Sequence, residues 1–463
     1  MVESAASALN SPQEKRSFYK RTLLIMLPIA LQNLMDAAVS SIDVIMLSFV
    51  SQSALAASSL AGQIAFVLFN LLNGLASGAA VMSAQYFGKG DRRTVERVLA
   101  LAIRTALIVS LPFTLAALIA PGAVMRIFTN DPALIAEGML YLRSVSLSYM
   151  LGSFVTIYLS VVRSVERVRV SVSIHCSAVV MNIFFNACFI FGLGPFPKLG
   201  IFGVGLATSI TRAIEVLICL WDSARCRVIR LRVKDLFSRG GQILRDFIRF
   251  AVPAAAGDIV WGLAFSVYSI ILGHLSSDIV AANSVASVVR NLGTAFCHGA
   301  ASSAAIVLGA AMGRNQLREA RAYGARFLKL CILTGLLSGV LVLGLRPLVL
   351  DFMYLYVEVT ELVRSELNIM LFINAYYMLG IALNTMFICG IFRAGGDVKY
   401  AFWCDVIGMW CCSVPIGLIC AFVLKLPEMW VYFILCLDEF MKLPINILHY
   451  KKLGWLKNIT RPQ

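Results

Sequence analysis

Charged side chains are scarce in this chain of 463 residues. Only 14% are Asp, Glu, Lys or Arg, and the 25 acidic residues are outnumbered by 40 basic ones. Hydrophobic residues make up 59% of the chain, and its mean hydropathy is +0.83. A soluble domain needs more charge to solvate its outer surface. The shortage of charge therefore excludes an ordinary soluble protein and predicts one that is embedded in a lipid bilayer.

Several functional motifs are also missing. The sequence has no GxxxxGK[ST] loop, so we do not expect ATP to drive the protein directly. It also lacks the HExxH and GxSxG motifs that would indicate an enzyme. The 12 Cys include no CxxC pair and form no ligand cluster with the 4 His. We interpret the Cys as small buried hydrophobic residues, and we expect no cofactor apart from a coupling ion.

Apolar runs long enough to cross a bilayer, which takes ~20 residues per helix, recur along the chain. They predict an all-α polytopic membrane protein with twelve transmembrane helices, roughly at 22–47, 60–85, 97–119, 137–162, 170–191, 201–221, 247–272, 283–310, 326–346, 364–391, 400–424 and 428–449.

Basic residues concentrate in every second loop between these runs, which indicates the cytoplasmic side. The arm before the first run, the central linker and the tail are all basic. Both termini are therefore predicted to lie in the cytoplasm, with the chain in the inner membrane. Because the net charge of +15 is spread over loops in this way, it does not predict nucleic-acid binding.

The two halves of the sequence repeat each other. Pro28 matches Pro253 at an offset of 225 (253 − 28 = 225), and Tyr149 matches Tyr377 at an offset of 228 (377 − 149 = 228). Such self-similarity indicates duplication, and an even number of helices per unit makes the repeats parallel. We predict two six-helix bundles, 1–221 and 247–463, with a basic cytoplasmic linker at 222–246. An amphipathic surface helix and a flexible loop are both open for that linker.

Ionisable residues inside the apolar runs are costly and need a reason. Asp36 and Asp43 share one face of the first run, seven residues apart, and are candidates for binding a proton or another cation. Pro28 and Pro253 lie inside the first and seventh runs and predict helix kinks, with or without functional motion. Asp258 is the candidate cation ligand of the second half.

Polar residues in the fifth and sixth runs extend this candidate site. Asn182 and Asn186 share a face, and Thr208 adds an oxygen. With Asp43 they predict a Na⁺ site, since amide, hydroxyl and carboxylate oxygens bind hard cations. Hydrogen bonding between helices is the competing interpretation. Other charged residues are predicted to form pairs within one helix, namely Arg212 with Glu215 and Lys442 with Asp438 or Glu439.

Several short motifs follow one another along the chain, namely Leu27-Pro28, Asp43-Val44-Ile45-Met46, Ala54-Leu55-Ala56-Ala57, Ala84-Gln85-Tyr86-Phe87-Gly88-Lys89-Gly90-Asp91, Asn182-Ile183-Phe184-Phe185-Asn186, Gly203-Val204-Gly205-Leu206-Ala207-Thr208, Arg393-Ala394-Gly395-Gly396-Asp397 and Gly454-Trp455. In this order they resemble the multidrug and toxic compound extrusion (MATE) family over nearly the whole chain.

The resemblance implies a V-shaped bundle of two six-helix repeats that exchanges organic cations for H⁺ or Na⁺. The family's acidic residue, kinking proline, asparagine and threonine fall on Asp43, Pro28, Asn182 and Thr208. Asn186 stands where many members have Asp, and this difference leaves the coupling ion open. We therefore expect a monomeric exporter of small, mostly cationic organic molecules or drugs. The alternatives are a flippase for lipid-linked precursors and, less well supported, a membrane enzyme or receptor.

Overall fold

The computed structural model describes residues 11–48, 50–226, 228–238, 240–356 and 360–461, without the side chains of 37–45, 48, 52, 277 and 354–356. These ranges are helical and contain no strand. The helices are α1 (Pro12–Ser48), α2 (Gln52–Lys89), α3 (Arg92–Ile119), α4 (Pro121–Arg126), α5 (Pro132–Ser164), α6 (Val168–Phe191), α7 (Gly200–Arg225), α8 (Val233–Leu236), α9 (Gly241–Gly273), α10 (Ser277–Gly313), α11 (Leu317–Tyr356), α12 (Glu361–Phe392), α13 (Val398–Val423), α14 (Glu428–Leu435) and α15 (Asp438–Lys451).

Ten of these helices, searched over the described residues, are long and apolar enough to cross a membrane. α1 covers the first predicted span, and α14 and α15 together cover the twelfth, with a break at Cys436 and Leu437. The predicted all-α, multi-span architecture is confirmed. Pro28 lies inside α1 and Pro253 inside α9, so both prolines are accommodated within continuous helices.

The duplication extends to the hydrogen bonds that begin helices. The Ala54 amide donates to Ser51 Oγ at 2.9 Å at the start of α2, and the Ile279 amide donates to Ser276 Oγ at 3.2 Å at the start of α10. These two serines have the same offset as the two prolines (276 − 51 = 225). Because a capping oxygen satisfies a backbone N–H that has no partner inside the helix, both repeats start their second long helix by the same means.

The chain divides into two compact units. The first unit is Met35–Ala255, and the second unit joins the chain up to Leu34 to the residues from Ala256 onward. The predicted boundaries at 221 and 247 were derived from the sequence repeat, whereas this division is based on packing contacts. Because the two divisions rest on different criteria, the predicted boundaries stay a prediction.

Within the first unit, the central linker is bound to α3. The guanidinium of Arg93 donates two hydrogen bonds to Asp235, at 2.6 and 2.7 Å, and Arg104 donates to the carbonyl of Ser238 at 2.7 Å. Arg232 lies 3.1 Å from Glu96 on α3. Bidentate arginine–carboxylate pairs are among the stronger polar contacts in proteins. In the described linker only α8 is helical before α9 begins, so charge pairing with α3 holds the linker in place.

A turn after α12 supplies a first test of the fold. Gly396 has φ 74°, in the left-handed region where a side chain costs about 1–2 kcal/mol. We expect Gly396→Ala to lower the thermal unfolding midpoint in detergent by a few degrees. The control is Gly344→Ala in α11, where an added Cβ has no heavy atom within 4 Å. An equal loss in both variants would contradict the backbone explanation.

Candidate functional site

Two neighbouring helices of the first unit face each other with polar side chains. His175, Asn182 and Asn186 are spaced by seven and four residues along α6, so they share one face. Thr208 and Glu215, seven residues apart, do the same on α7. The two helices run in opposite directions, which brings Thr208 to Asn182 and Glu215 to His175.

One end of this face is a chain of neutral groups. The amide of Asn186 donates to Asn182 Oδ1 at 3.2 Å, and the amide of Asn182 points to Thr208 Oγ1 at 3.5 Å. The Thr208 hydroxyl donates to the Val204 carbonyl at 3.1 Å. Asn182 and Asn186 are both buried. The structure therefore brings together three of the predicted ligands and connects them by direct side-chain contacts.

The other end of the face is charged and centres on His175. The imidazole Nε2 lies 2.6 Å from Asp36 Oδ1 of α1, and Nδ1 lies 3.8 Å from Glu215 Oε1 of α7. Arg212 donates to the other oxygen of Glu215 at 2.6 Å, which confirms that predicted pair. The side chains become less exposed along this row, from 52% at Asp36 to 11% at His175 and 0% at Glu215.

Of the two predicted acidic residues of α1, the structure describes the side chain of Asp36 but not that of Asp43. The Asp43 side chain lies outside the described residues, so its role as the main cation ligand stays a prediction. Asp36 is in contact with His175, and it also interacts electrostatically with Arg163 at the end of α5. Asp36 is therefore part of a charged cluster that reaches from α1 to α7.

The second unit contains the other predicted cation ligand. Asp258 Oδ1 of α9 lies 2.6 Å from Arg393 Nη2, just after the end of α12. The Arg393 guanidinium neutralises this carboxylate in the described arrangement. The assignment of Asp258 as a cation ligand stays a prediction.

Lys442 of α15 lies between two carboxylates in the interior of the second unit. Its Nζ is 2.8 Å from Glu439 Oε1 and 3.3 Å from Asp405 Oδ1, and its side chain is 2% exposed. Asn384 donates to Glu439 Oε2 at 2.8 Å. The predicted pairing of Lys442 with Glu439 is confirmed, whereas the neighbouring Asp438 accepts from Tyr377 at 2.8 Å.

An ion pair also links the helix ends near the linker in the first unit. Arg167 donates to both oxygens of Asp222, at 2.9 and 2.7 Å, and Tyr158 donates to the same carboxylate at 2.7 Å. The hydrogen bonds to Asp222 raise the pKa of Arg167, which lies in the loop before α6, so this guanidinium stays charged. In the second unit His449 Nε2 lies 2.7 Å from Asp397 Oδ2.

Two of these groups were not predicted as site residues, although the sequence contains a signal for each. His175 lies seven residues before Asn182, which places it on the same helix face. Asp405 is an acidic residue inside the eleventh predicted span, where a charge is costly, and packing places it beside Lys442. Residue spacing along one helix predicts which side chains share a face, but it does not predict which side chain of another helix contacts them.

Comparison with known proteins agrees with this architecture. A MatE family model matches residues 28–188 and 253–419. Among curated proteins, the chain is 22% identical to "Uncharacterized transporter YisQ" of Bacillus subtilis, over 96% of both chains. It is 24% identical to "Probable multidrug resistance protein NorM" of Bradyrhizobium diazoefficiens, over 94% of both chains.

Solved structures show the same fold. A MOP superfamily transporter from Pyrococcus furiosus aligns with a TM-score of 0.85 at 17% identity, covering 94% of this chain and 96% of that one. A multidrug resistance MATE family transporter in the outward-facing conformation aligns with a TM-score of 0.84 at 16% identity, covering 96% of this chain and 97% of that one. The family model covers well over half of the sequence. The chain therefore belongs to the MATE family, whose members are membrane transporters and not enzymes.

Proposed function

We propose that this transporter exports small, mostly cationic organic compounds in exchange for H⁺ or Na⁺. It acts as a monomer in the cytoplasmic membrane, with both termini in the cytoplasm. The observation that carries the proposal is the polar face of the first unit, where the half-exposed Asp36, the mostly buried His175 and the fully buried Glu215 form one row between apolar helices. Relatives named as probable multidrug resistance proteins support the class of cargo.

The energetics of this face suit ion exchange. A carboxylate inside a membrane protein is costly unless a cation or a hydrogen-bond donor compensates it. Binding of a coupling cation at Asp43 and Asp36 changes the charge of the bundle interior, and release restores it. Because a ligand shifts a conformational equilibrium only by its differential affinity for the two states, this charge change can favour one state over the other.

A second cargo class is kept as the alternative. For the Pyrococcus furiosus transporter, reverse polarity of the binding pocket suggests a different function. This chain has arginines beside its acidic residues, namely Arg163 near Asp36 and Arg212 at Glu215. A flippase for lipid-linked precursors would use such arginines to bind phosphate groups.

The deciding experiment is transport in proteoliposomes under separately imposed H⁺ and Na⁺ gradients. The probes are ethidium as an organic cation and a fluorescent lipid-linked pyrophosphate for the alternative. We expect one of the two gradients to drive ethidium transport, and Asp43→Asn and Asp36→Asn to reduce it to the level of empty liposomes. Asp351→Asn, an exposed position in α11, is the control and should match the wild type.

Two outcomes would count against this proposal. Unchanged coupled transport by Asp43→Asn would overturn the assignment of that residue. Movement of the pyrophosphate probe, with none of ethidium, would instead favour the flippase.

A further inference from the structure

His175 is the group in the first unit whose chemistry best matches reversible protonation. Imidazole is the side chain that ordinarily changes its charge between about pH 5 and 8. His175 connects the half-exposed Asp36 to the fully buried Glu215, and the three residues lie on three different helices. A structural histidine needs one satisfied partner, whereas this one has a carboxylate on each side.

The geometry on the buried side leaves room for one proton. With Nε2–H donating to Asp36, Nδ1 carries a lone pair and faces Glu215 Oε1, which is also an acceptor. Their separation of 3.8 Å is longer than a hydrogen bond. Within the described part of the chain, Glu215 Oε1 accepts no hydrogen bond, and the residue is 0% exposed. A proton on Nδ1 would convert two opposed acceptors into a charge-assisted donor–acceptor pair.

Each carboxylate beside His175 also interacts with an arginine. Asp36 interacts with Arg163, and Glu215 is paired with Arg212, so each carboxylate is already partly compensated. The four charges sum to zero with a neutral imidazole and to +1 with an imidazolium. In the part of the chain that the structure describes, the charged and titratable groups that interact with His175, or with one of its two carboxylate partners, are Asp36 from α1, Arg163 from α5, Cys176 from α6, and Arg212, Glu215 and Cys219 from α7.

The sequence repeat offers an internal comparison. His175 corresponds to Asp405 at an offset of 230 (405 − 175 = 230), which also relates Arg163 to Arg393 (393 − 163 = 230). Glu215 corresponds to Lys442, and Arg212 to Glu439, both at an offset of 227 (442 − 215 = 227, 439 − 212 = 227). In the first unit the carboxylate of Glu215 lies between the basic side chains of His175 and Arg212. At the equivalent positions of the second unit the ammonium of Lys442 lies between the carboxylates of Asp405 and Glu439.

A further pair supports this correspondence. Arg167 matches Asp397 at the offset of 230 (397 − 167 = 230), and Asp222 matches His449 at that of 227 (449 − 222 = 227). Arg167 binds Asp222 and Asp397 binds His449, so here too the polarity is inverted between repeats. Equivalent positions hold ionic clusters in both units. In the first cluster the imidazole of His175 lies 3.8 Å from Glu215. In the second cluster the described ion pairs join Lys442 to Asp405 and Glu439, and the imidazole of His298 interacts electrostatically with Glu439.

We infer that His175, between Asp36 and Glu215, is a proton-binding site of the first unit that loads and releases one proton. The proton is taken up from water and returns to water on release. An N–H bond forms at the imidazole and breaks on release, with no electron transferred. The inference rests on the proposed exchange, because it assigns H⁺ as a coupling ion and His175 as one of its carriers.

The test is solid-state NMR of ¹⁵N-histidine-labelled protein in lipid bilayers as the pH is varied. His175→Gln identifies the His175 signal among those of the 4 His. We expect that signal to change from imidazolium to imidazole over the accessible range. The pH of the change should fall by about one unit or more in Glu215→Gln, since the variant lacks an opposite charge that stabilises imidazolium. The control is Glu439→Gln, at the position in the second unit that is equivalent to Arg212. This variant should not alter the pH at which the His175 signal changes.

The outcomes separate this inference from the proposed function. An uncharged His175 over the whole range, or a titration that Glu215→Gln does not move, would overturn the proton site. A parallel assay compares ethidium uptake driven by a pH gradient in wild type and His175→Gln. Uptake driven by Na⁺ alone, with a His175 that titrates as expected, would contradict His175 as a carrier of the coupling ion while leaving the exporter intact. No ethidium transport under either gradient would instead defeat the proposed function.

Discussion

Lys442→Met is expected to destabilise the protein by about 3–5 kcal/mol, because it leaves buried carboxylates without their cation. Lys442 is the direct partner of Asp405 and of Glu439, and it is almost completely buried. Methionine fills a similar volume, so the loss reports charge rather than a cavity. The measurement is the thermal or denaturant unfolding midpoint of purified protein in detergent.

Two controls isolate the cause. Lys451→Met changes an exposed lysine at the end of the same helix and should stay within about 0.5 kcal/mol of wild type. The triple variant Asp405→Asn, Glu439→Gln, Lys442→Met removes all three charges and should recover most of the loss. Protonation also removes a stranded negative charge, so Lys442→Met should be less destabilised at about pH 5 than at about pH 8. Wild-type stability of the single variant would show that the cluster is not held by this ion pair.

The apolar runs were enough to predict the long helices and their order. A bilayer forces each span to satisfy its backbone hydrogen bonds internally, so an apolar run of sufficient length predicts a helix. The break at Cys436 and Leu437 was not predicted, because the one proline of the run 428–449, Pro444, lies inside α15 and not at the break. The sequence repeat also did not predict that α1 up to Leu34 belongs to the compact unit formed by the second half.

The sequence predicts which site residues share the face of one helix, but it does not predict the contacts between residues on different helices. Asn182 and Asn186 share a face by spacing alone, and the structure adds Thr208 as their neighbour. The sequence predicts Asp258 as a cation ligand, but not its contact with Arg393, which is distant in sequence. Likewise His175 had no visible role until packing placed Asp36 on one nitrogen and Glu215 near the other. Contacts between distant residues depend on tertiary packing, which periodicity does not encode.

His175→Lys is expected to abolish transport driven by a pH gradient while leaving the protein folded. A lysine ammonium between Asp36 and Glu215 would keep the positive charge that imidazole gains only on protonation, because its ordinary pKa is ~10.4. In the corresponding cluster of the second unit an ammonium lies between two carboxylates, since Lys442 lies between Asp405 and Glu439. We expect ethidium uptake at the level of empty liposomes and an unfolding midpoint within a few degrees of wild type.

The lysine variant separates a proton carrier from a structural bridge. If His175 only joined α1 to α7, a permanent cation would serve as well as imidazole, and coupled transport would survive. If the proton must come and go, a charge that never leaves holds this site in its loaded state, and the H⁺ gradient can no longer act through it to bias the two conformations. Lys442→Arg is the matched control, because it retains a permanent cation in the equivalent cluster of the second unit and should keep transport. Activity in His175→Lys comparable with that control would show that loading and release of a proton at this imidazole do not drive the exchange.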